Sequence, residues 1–316
     1  QQISENYAAY HGDSCEVLKG IPDNSIDYTI KSPPFASLYT YSNSDRDMGN
    51  CRNRSEFYDH YLFVVRQMFR VTKPGRLVSF HCMNLPTSKT HDGYIGIHDF
   101  RGDLIRMYID AGFIFHSEVV IWKDPVTAMQ RTKAIGLLHK QLKKDSTMSR
   151  QGIPDYLVTM RKPGDNPDPV AGPLTYYAGD KPPDERFDSD RQSIDIWQRY
   201  ASPVWFDINP SKTLQYRSAR EQADERHICP LQLQVIERAI QLWTNPGDLV
   251  LSPFMGIGSE GHEAIRLGRR FIGVELKESY YRQAVANLCI AEQAKDSPTM
   301  FDYMPEVNPA YDEVEA

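Results

Sequence analysis

Two short stretches carry residue types that could do chemistry together. Ser32-Pro33-Pro34-Phe35 sets a hydroxyl, two prolines and an aromatic ring in succession. Paired prolines remove two backbone donors and fix φ, so the group is a stiff turn and not part of a strand or helix. At the carboxyl end of a strand in an open α/β sheet, such a turn sits where ligands bind. Far downstream, Ser252-Pro253-Phe254-Met255-Gly256-Ile257-Gly258-Ser259-Glu260-Gly261 places glycines two apart before an apolar helix start. That spacing lets backbone approach a nucleotide-like ligand closely. Glu275, about twenty residues further on, is placed to accept both hydroxyls of a ribose.

Each group needs a strand to deliver it. Residues 26–30 read as a buried strand that the prolines must stop, and residues 248–251 as a second one feeding the glycine loop. Residues 10–13 end a short strand before a helical turn over 15–18. Asp13 is either the N-cap of that turn or an acceptor for a bound nucleoside. Phe57, Tyr61, Val64, Val65, Met68 and Phe69 recur at helical spacing, and Lys73-Pro74-Gly75 is expected to end that helix before a strand over 77–80. A helix over 100–111, strands over 119–122, 156–160 and 271–275, a glycine-containing loop over 91–98 and a last helix over 277–294 complete the pattern. Strands alternating with helices predict an α/β protein with a doubly wound, mostly parallel sheet.

Ser32 to Phe35 resembles motif IV of the DNA methyltransferases that modify an exocyclic amino group, whose members read Asp, Asn or Ser, then Pro-Pro, then an aromatic. The glycine loop resembles motif I of the same family, usually Asp-Pro-Phe-x-Gly-x-Gly. Catalytic turn first and cofactor loop last is the order of the permuted beta group. The resemblance implies a Rossmann-like methyltransferase fold, circularly permuted, with S-adenosyl-L-methionine as cofactor. It gives Ser32 and the Pro33 carbonyl the amino hydrogens of a flipped base, Phe35 the stacking face and Pro34 the stiffness of the turn. Acceptors there favour the tetrahedral nitrogen that develops during direct in-line transfer of the methyl group. The implied cofactor residues are Asp13 at the motif III position, Ser252, Pro253, Phe254, Gly256, Gly258, Ser259 and Glu275. His227, Cys229 and Pro230 join them, because residues 227–232 resemble motif X at the entry of a helix through Trp243. Ser252 departs from the family's usual acid, and Ser32 from its commoner Asp. All the residue types found at the first position of motif IV accept a hydrogen bond, so adenine N6 and cytosine N4 both stand as targets.

Between the motifs, residues 124–226 correspond in position to the family's target-recognition segment. The chain then divides into a catalytic half (1–123), that insertion with its linker, a cofactor half (227–295) and an acidic tail (296–316). From Lys123 to Lys162 there are nine Lys or Arg against three acids, the footprint expected of phosphate contact and also, more plainly, of a solvated helix face. Candidate contacts to double-stranded DNA are Arg131, Lys133, Lys140, Lys143 and Lys144 here, with Tyr39, Tyr41, Arg46 and Arg52 in the polar loop after Phe35. Residues 163–183 hold six prolines and three glycines, so they form an extended connection.

Composition sets the outer limits. At 316 residues and 41% hydrophobic, the chain can bury one large core with an insertion, or two domains. A net charge of -6 argues against a protein held to nucleic acid by overall charge. No apolar run reaches membrane length and the start carries no signal pattern, so a soluble protein is expected. Five cysteines without a Cys-x-x-Cys pair point to a reducing, cytoplasmic setting. His81-Cys82, His91 and His98 match no common zinc spacing, and no metal is expected. A homodimer and a cognate restriction enzyme are both left open as partners. The competing readings are a methyltransferase acting on RNA or a small molecule, and a non-catalytic DNA-binding regulator with this fold.

Overall fold

The computed structural model describes residues 1–34, 47–126, 128, 138–144, 149, 151–170, 198–215 and 230–296. Their centre is a nine-stranded sheet. In chain order its strands are β1 (Gln2–Ile3), β2 (Tyr7–His11), β3 (Ile26–Lys31), β4 (Thr72–Met83), β7 (Ile114–Ile121), β8 (Asp155–Arg161), β9 (Val204–Trp205), β10 (Leu249–Ser252) and β11 (Arg270–Glu275); β5 (Leu85–Thr87) and β6 (Gly96–His98) pair separately. In space the order is β1-β2-β11-β10-β3-β4-β8-β7-β9. The run from β2 to β4 is parallel throughout, while β8 lies antiparallel to both β4 and β7. β3 leads through a helix to β4 on one side, and β10 leads through another to β11 on the other. The direction of winding therefore reverses between β3 and β10, where a doubly wound sheet opens a crevice.

Both faces of the sheet are covered, which is why successive positions of the central strands are buried on either side. Val78, Phe80, Val158 and Leu251 point to helices α2 (Arg54–Val71) and α4 (Phe100–Asp110), against Phe57, Tyr61, Val65, Leu104 and Tyr108. Leu77, Leu157, Val250 and Tyr28 point to the opposite layer. There α6 (Leu233–Trp243), α7 (Ser259–Arg266) and α8 (Glu278–Asp296) contribute Val235, Ile236, Ile240, Ile265, Ala284 and Leu288. The remaining described helices are short: α1 (Ser14–Val17), α3 (Lys89–Asp92) and α5 (His139–Lys144).

At the amino ends of the central strands, Arg76 ties distant segments together. Its guanidinium, 3% exposed, donates to the carbonyl of Asp27 at 3.0 Å and of Asp168 at 2.9 Å, and pairs with the Asp248 carboxylate. Asp27 in turn accepts from the Leu249 N–H at 2.9 Å and from Lys73 at 2.6 Å.

Two local expectations change. Lys73-Pro74-Gly75 does not terminate the helix, which already ends at Val71; those residues lie in β4, with Gly75 at φ +74°. Residues 91–98 are not a plain loop, because Gly96–His98 pairs with Leu85–Thr87 as a small antiparallel ribbon. The strand expected over 156–160 forms as Asp155–Arg161, between β4 and β7 in the main sheet.

Candidate active site

The two chemical stretches meet at the winding reversal. Val250 pairs with Tyr28 and Leu251 with Thr29, so β10 and β3 run side by side and deliver Ser252 and Ser32 to the same end of the sheet. Phe35 lies outside the described residues, as do Tyr39, Tyr41, Arg46, Arg131, Lys133, His227 and Cys229.

The glycine loop is held by its own backbone and by the neighbouring strands. Met255 N–H donates to Val274 O at 2.9 Å, and Gly258 N–H to Met255 O at 2.7 Å. The Ser14 hydroxyl donates to the Pro253 carbonyl, which joins the end of β2 to the loop. Gly258 caps α7 at φ +84°, and a Cβ there would meet Ala284 of α8 at 3.2 Å. Gly256 is also left-handed, at φ +52°, but a Cβ on it would enter open space. Phe254 turns away toward the core, its ring 6.2 Å from that of Tyr61. Pro230 is half-buried just before α6.

Two carboxylates flank this loop. Glu275 ends β11; its Oε2 accepts from Gly256 N–H and its Oε1 from Lys277 N–H, both at 2.9 Å. Burial pushes its acid up to about 7, with those backbone donors working against the shift. Glu260, in the first turn of α7 and 4% exposed, is pushed to about 8 by burial, and the charge of Glu275 adds to the effect. Neither forms an ion pair with a described residue. The hydroxyls of Ser252 and Ser259 are buried without a hydrogen-bond partner among the described residues. Spare carboxylates, orphan hydroxyls and an open glycine face fit a ligand with positive charge and several polar atoms. S-adenosyl-L-methionine, with its sulfonium, ammonium and ribose, is such a ligand. Asp13 is an N-cap, accepting from Cys15 N–H at 2.8 Å; Gly12, beside it, donates to Glu275 O at 2.9 Å. The cap therefore sits at the edge of the same crevice.

On the β3 side, Ser32 is half-buried and its Oγ lies 3.2 Å from His81 Nδ1, although the two are 49 positions apart. Parallel pairing of Lys31 with Phe80 brings His81 level with Ser32. Beyond it, His81 Nε2 is 3.0 Å from Asp155 Oδ2, and Asp155 Oδ1 accepts from Lys123 Nζ at 2.5 Å. Asp155 is paired with Met83 on β4 and Ile121 on β7. Alternation along the strands therefore puts His81, Asp155 and Lys123 on one face. Burial alone would raise the Asp155 carboxyl, but His81 and Lys123 outweigh it and hold it below the usual carboxylate value. Lys31, next to Ser32, faces the other layer, with its ammonium nitrogen 2.9 Å from Met68 sulfur.

Sequence reading missed the His81–Asp155–Lys123 set, since it weighed His81 only as a metal ligand. No spacing rule links the three, because only the insertion of β8 between β4 and β7 brings them together. Among the described residues no group of His, Cys, Asp and Glu is arranged to hold a metal ion. Among those residues, too, no helix is long and apolar enough to cross a membrane. Of the basic candidates, Arg52 is exposed before α2, and Lys140, Lys143 and Lys144 are exposed on α5.

Comparison with known proteins gives a consistent result. Residues 26–286 match a family model described as DNA methylase, of the N6/N4 type. The type II methyltransferase M.BglII of Bacillus subtilis is 25% identical over 281 residues, 86% of this chain and 66% of its own length. M.BamHI of Bacillus amyloliquefaciens is 27% identical over 267 residues, 84% of this chain and 54% of its own length. The chain thus spans between about half and two thirds of these two relatives. Among solved structures, TTHA0409 of Thermus thermophilus, described as a DNA modification methylase and complexed with S-adenosyl-L-methionine, superposes with a TM-score of 0.61 at 21% identity, covering 91% of this chain and 96% of that one.

Proposed function

Because this chain belongs to the N6/N4 DNA methylase family, we propose that it transfers a methyl group from S-adenosyl-L-methionine to an exocyclic amino nitrogen, adenine N6 or cytosine N4, of a base flipped out of duplex DNA. The observation that carries this reading is the adjacency of β3 and β10, which brings the Ser32 turn and the glycine loop to one crevice.

The cofactor supplies the electrophilic methyl group; the protein supplies alignment. Glu275 accepts the ribose hydroxyls with the lone pairs that Gly256 and Lys277 leave free. Ser252 and Ser259 offer hydroxyls to the polar edge of the cofactor, and Glu260, once the bound cation draws it into its ionised form, provides the negative charge that Ser252 lacks. Asp13 borders the nucleoside end, and His227, Cys229 and Pro230 border the methionine end. At the other side, Ser32 and the Pro33 carbonyl accept the hydrogens of the target amino group, with Phe35 stacked on the base and Pro34 keeping the turn stiff. Tyr39, Tyr41, Arg46, Arg52, Arg131, Lys133, Lys140, Lys143 and Lys144 contact the duplex, in a segment 124–226 that reads its sequence. The setting is the cytoplasm.

The experiment is transfer of labelled methyl from S-adenosyl-L-methionine to duplex DNA, with RNA of matched sequence in parallel. The modified DNA is then sequenced by a method that separates N6-methyladenine from N4-methylcytosine. Incorporation into DNA at a defined site is expected; label on RNA alone would overturn the reading.

A further inference from the structure

We propose that His81 and Asp155 form a proton relay behind Ser32, which keeps the serine hydroxyl oriented as an acceptor and takes the proton that the target nitrogen must lose. This rests on the methyl-transfer reading and assigns it two residues outside the turn and the glycine loop.

The charges, more than the angles, decide which atom carries each hydrogen, because His81 Nε2 meets Asp155 at ion-pair distance without an aligned hydrogen bond. Asp155 is 3% exposed, and Lys123 donates to its other oxygen at 2.5 Å. An ionised carboxylate only accepts, so the imidazole nitrogen facing it, Nε2 at 3.0 Å, carries the hydrogen. In the neutral ring Nδ1 then holds a lone pair, and the atom 3.2 Å away is Ser32 Oγ. The serine must therefore donate its own hydrogen to His81, which turns its oxygen lone pairs outward to the crevice. A hydroxyl alone can point its hydrogen either way; one held by His81 cannot. The arrangement thus gives a serine the acceptor character that a carboxylate would have.

The step balances. As the amino nitrogen takes the methyl group, its bond to carbon forms while the carbon–sulfur bond breaks, and that electron pair stays on sulfur. The nitrogen's surplus proton passes to Ser32 Oγ as the serine's proton passes to His81 Nδ1. The imidazolium left beside Asp155 then returns its proton to solvent. His81 is 9% exposed. Among the described residues, the charged groups facing it from the neighbouring strands include Asp155 and Lys123, with Ser32 on the third side. Cys82, Tyr156 and the Arg101–Glu118 pair alternate onto the opposite face.

Two measurements on the full chain test the relay. Nitrogen-15 NMR of the histidine rings, without substrate, is expected to show His81 with its hydrogen on Nε2 at neutral pH, and Asp155→Asn to shift that signal. The opposite tautomer would overturn the proposal whatever the protein methylates. Single-turnover rates on duplex DNA at saturating cofactor are expected to fall at least tenfold in His81→Gln, with cofactor affinity unchanged. In a Ser32→Ala background the second substitution is expected to add little. Independent, multiplicative losses would overturn it. If wild type methylates no DNA while the ring shows the expected tautomer, the error lies in the substrate reading and not in the geometry.

Discussion

A serine at the head of the proposed catalytic turn is a weak acceptor unless something fixes its hydrogen, and the Ser32–His81 contact supplies that constraint. Ser32→Ala is expected to slow methyl transfer by about 10²–10³-fold, the range for removing one aimed hydrogen-bonding group from a reaction centre. Cofactor affinity measured by calorimetry should stay as it was, and equal loss of both would move Ser32 into the cofactor site. The two glycine-loop carboxyls make a pH prediction. Glu275 and Glu260 are lifted by burial to about 7 and about 8, above their unfolded values. Without ligand, the stability they lend is complete below the unfolded carboxylate range and is lost as pH rises through 7 to 8. A cationic cofactor prefers the ionised pair, so its affinity should rise between pH 6 and pH 9, with proton release visible in buffers of different ionisation heat. Affinity that is flat over that range would mean the carboxyls do not face the cofactor. The turn, the glycine loop and Glu275 were legible from residue type and spacing. His81 and Asp155 were not, because a histidine or an aspartate has no local signature for a partner met across a strand pair.

At the scale of elements, apolar pattern and turn residues anticipated nearly every strand and helix that builds the crevice. The misreading at Lys73-Pro74-Gly75 has a clear cause. A Pro-Gly pair after a helical run usually marks a helix stop, but here the Thr72 N–H closes the last turn and the strand begins at once. The same kind of residue is decisive in the glycine loop after β10. Gly258 combines φ +84° with the backbone of α8 at contact distance, so Gly258→Ala is expected to cost about 1–2 kcal/mol from the left-handed conformation alone. Chemical denaturation should show the loss, and cofactor binding should weaken with it. Unchanged stability would mean that the loop relaxes without Gly258.

Across the whole molecule, the two halves of the sheet are joined at the end opposite the chemistry. Arg76, from β4, pairs with Asp248, just before β10, and donates to the carbonyls of Asp27 and Asp168 as well. Arg76→Ala leaves the largely buried Asp248 carboxylate without its cation and two carbonyls without their donor, and is expected to destabilise the fold by about 3–5 kcal/mol. The fraction that remains folded should bind cofactor normally; selective loss of binding with full stability would contradict this placement. Sequence order alone could not reveal the clasp, since its members come from distant segments. The spatial strand order has a consequence for synthesis. β2 and β3 are translated early but are not neighbours: β11 and β10 fill the space between them. A ribosome that has released β2 and β3 but not yet β10 and β11 has therefore made a sheet with a two-strand gap, bordered by the bare edges of Tyr7–His11 and Ile26–Lys31. Unpaired edges recruit other chains, so a nascent or prematurely terminated polypeptide should depend on chaperones until its last two strands slide into place.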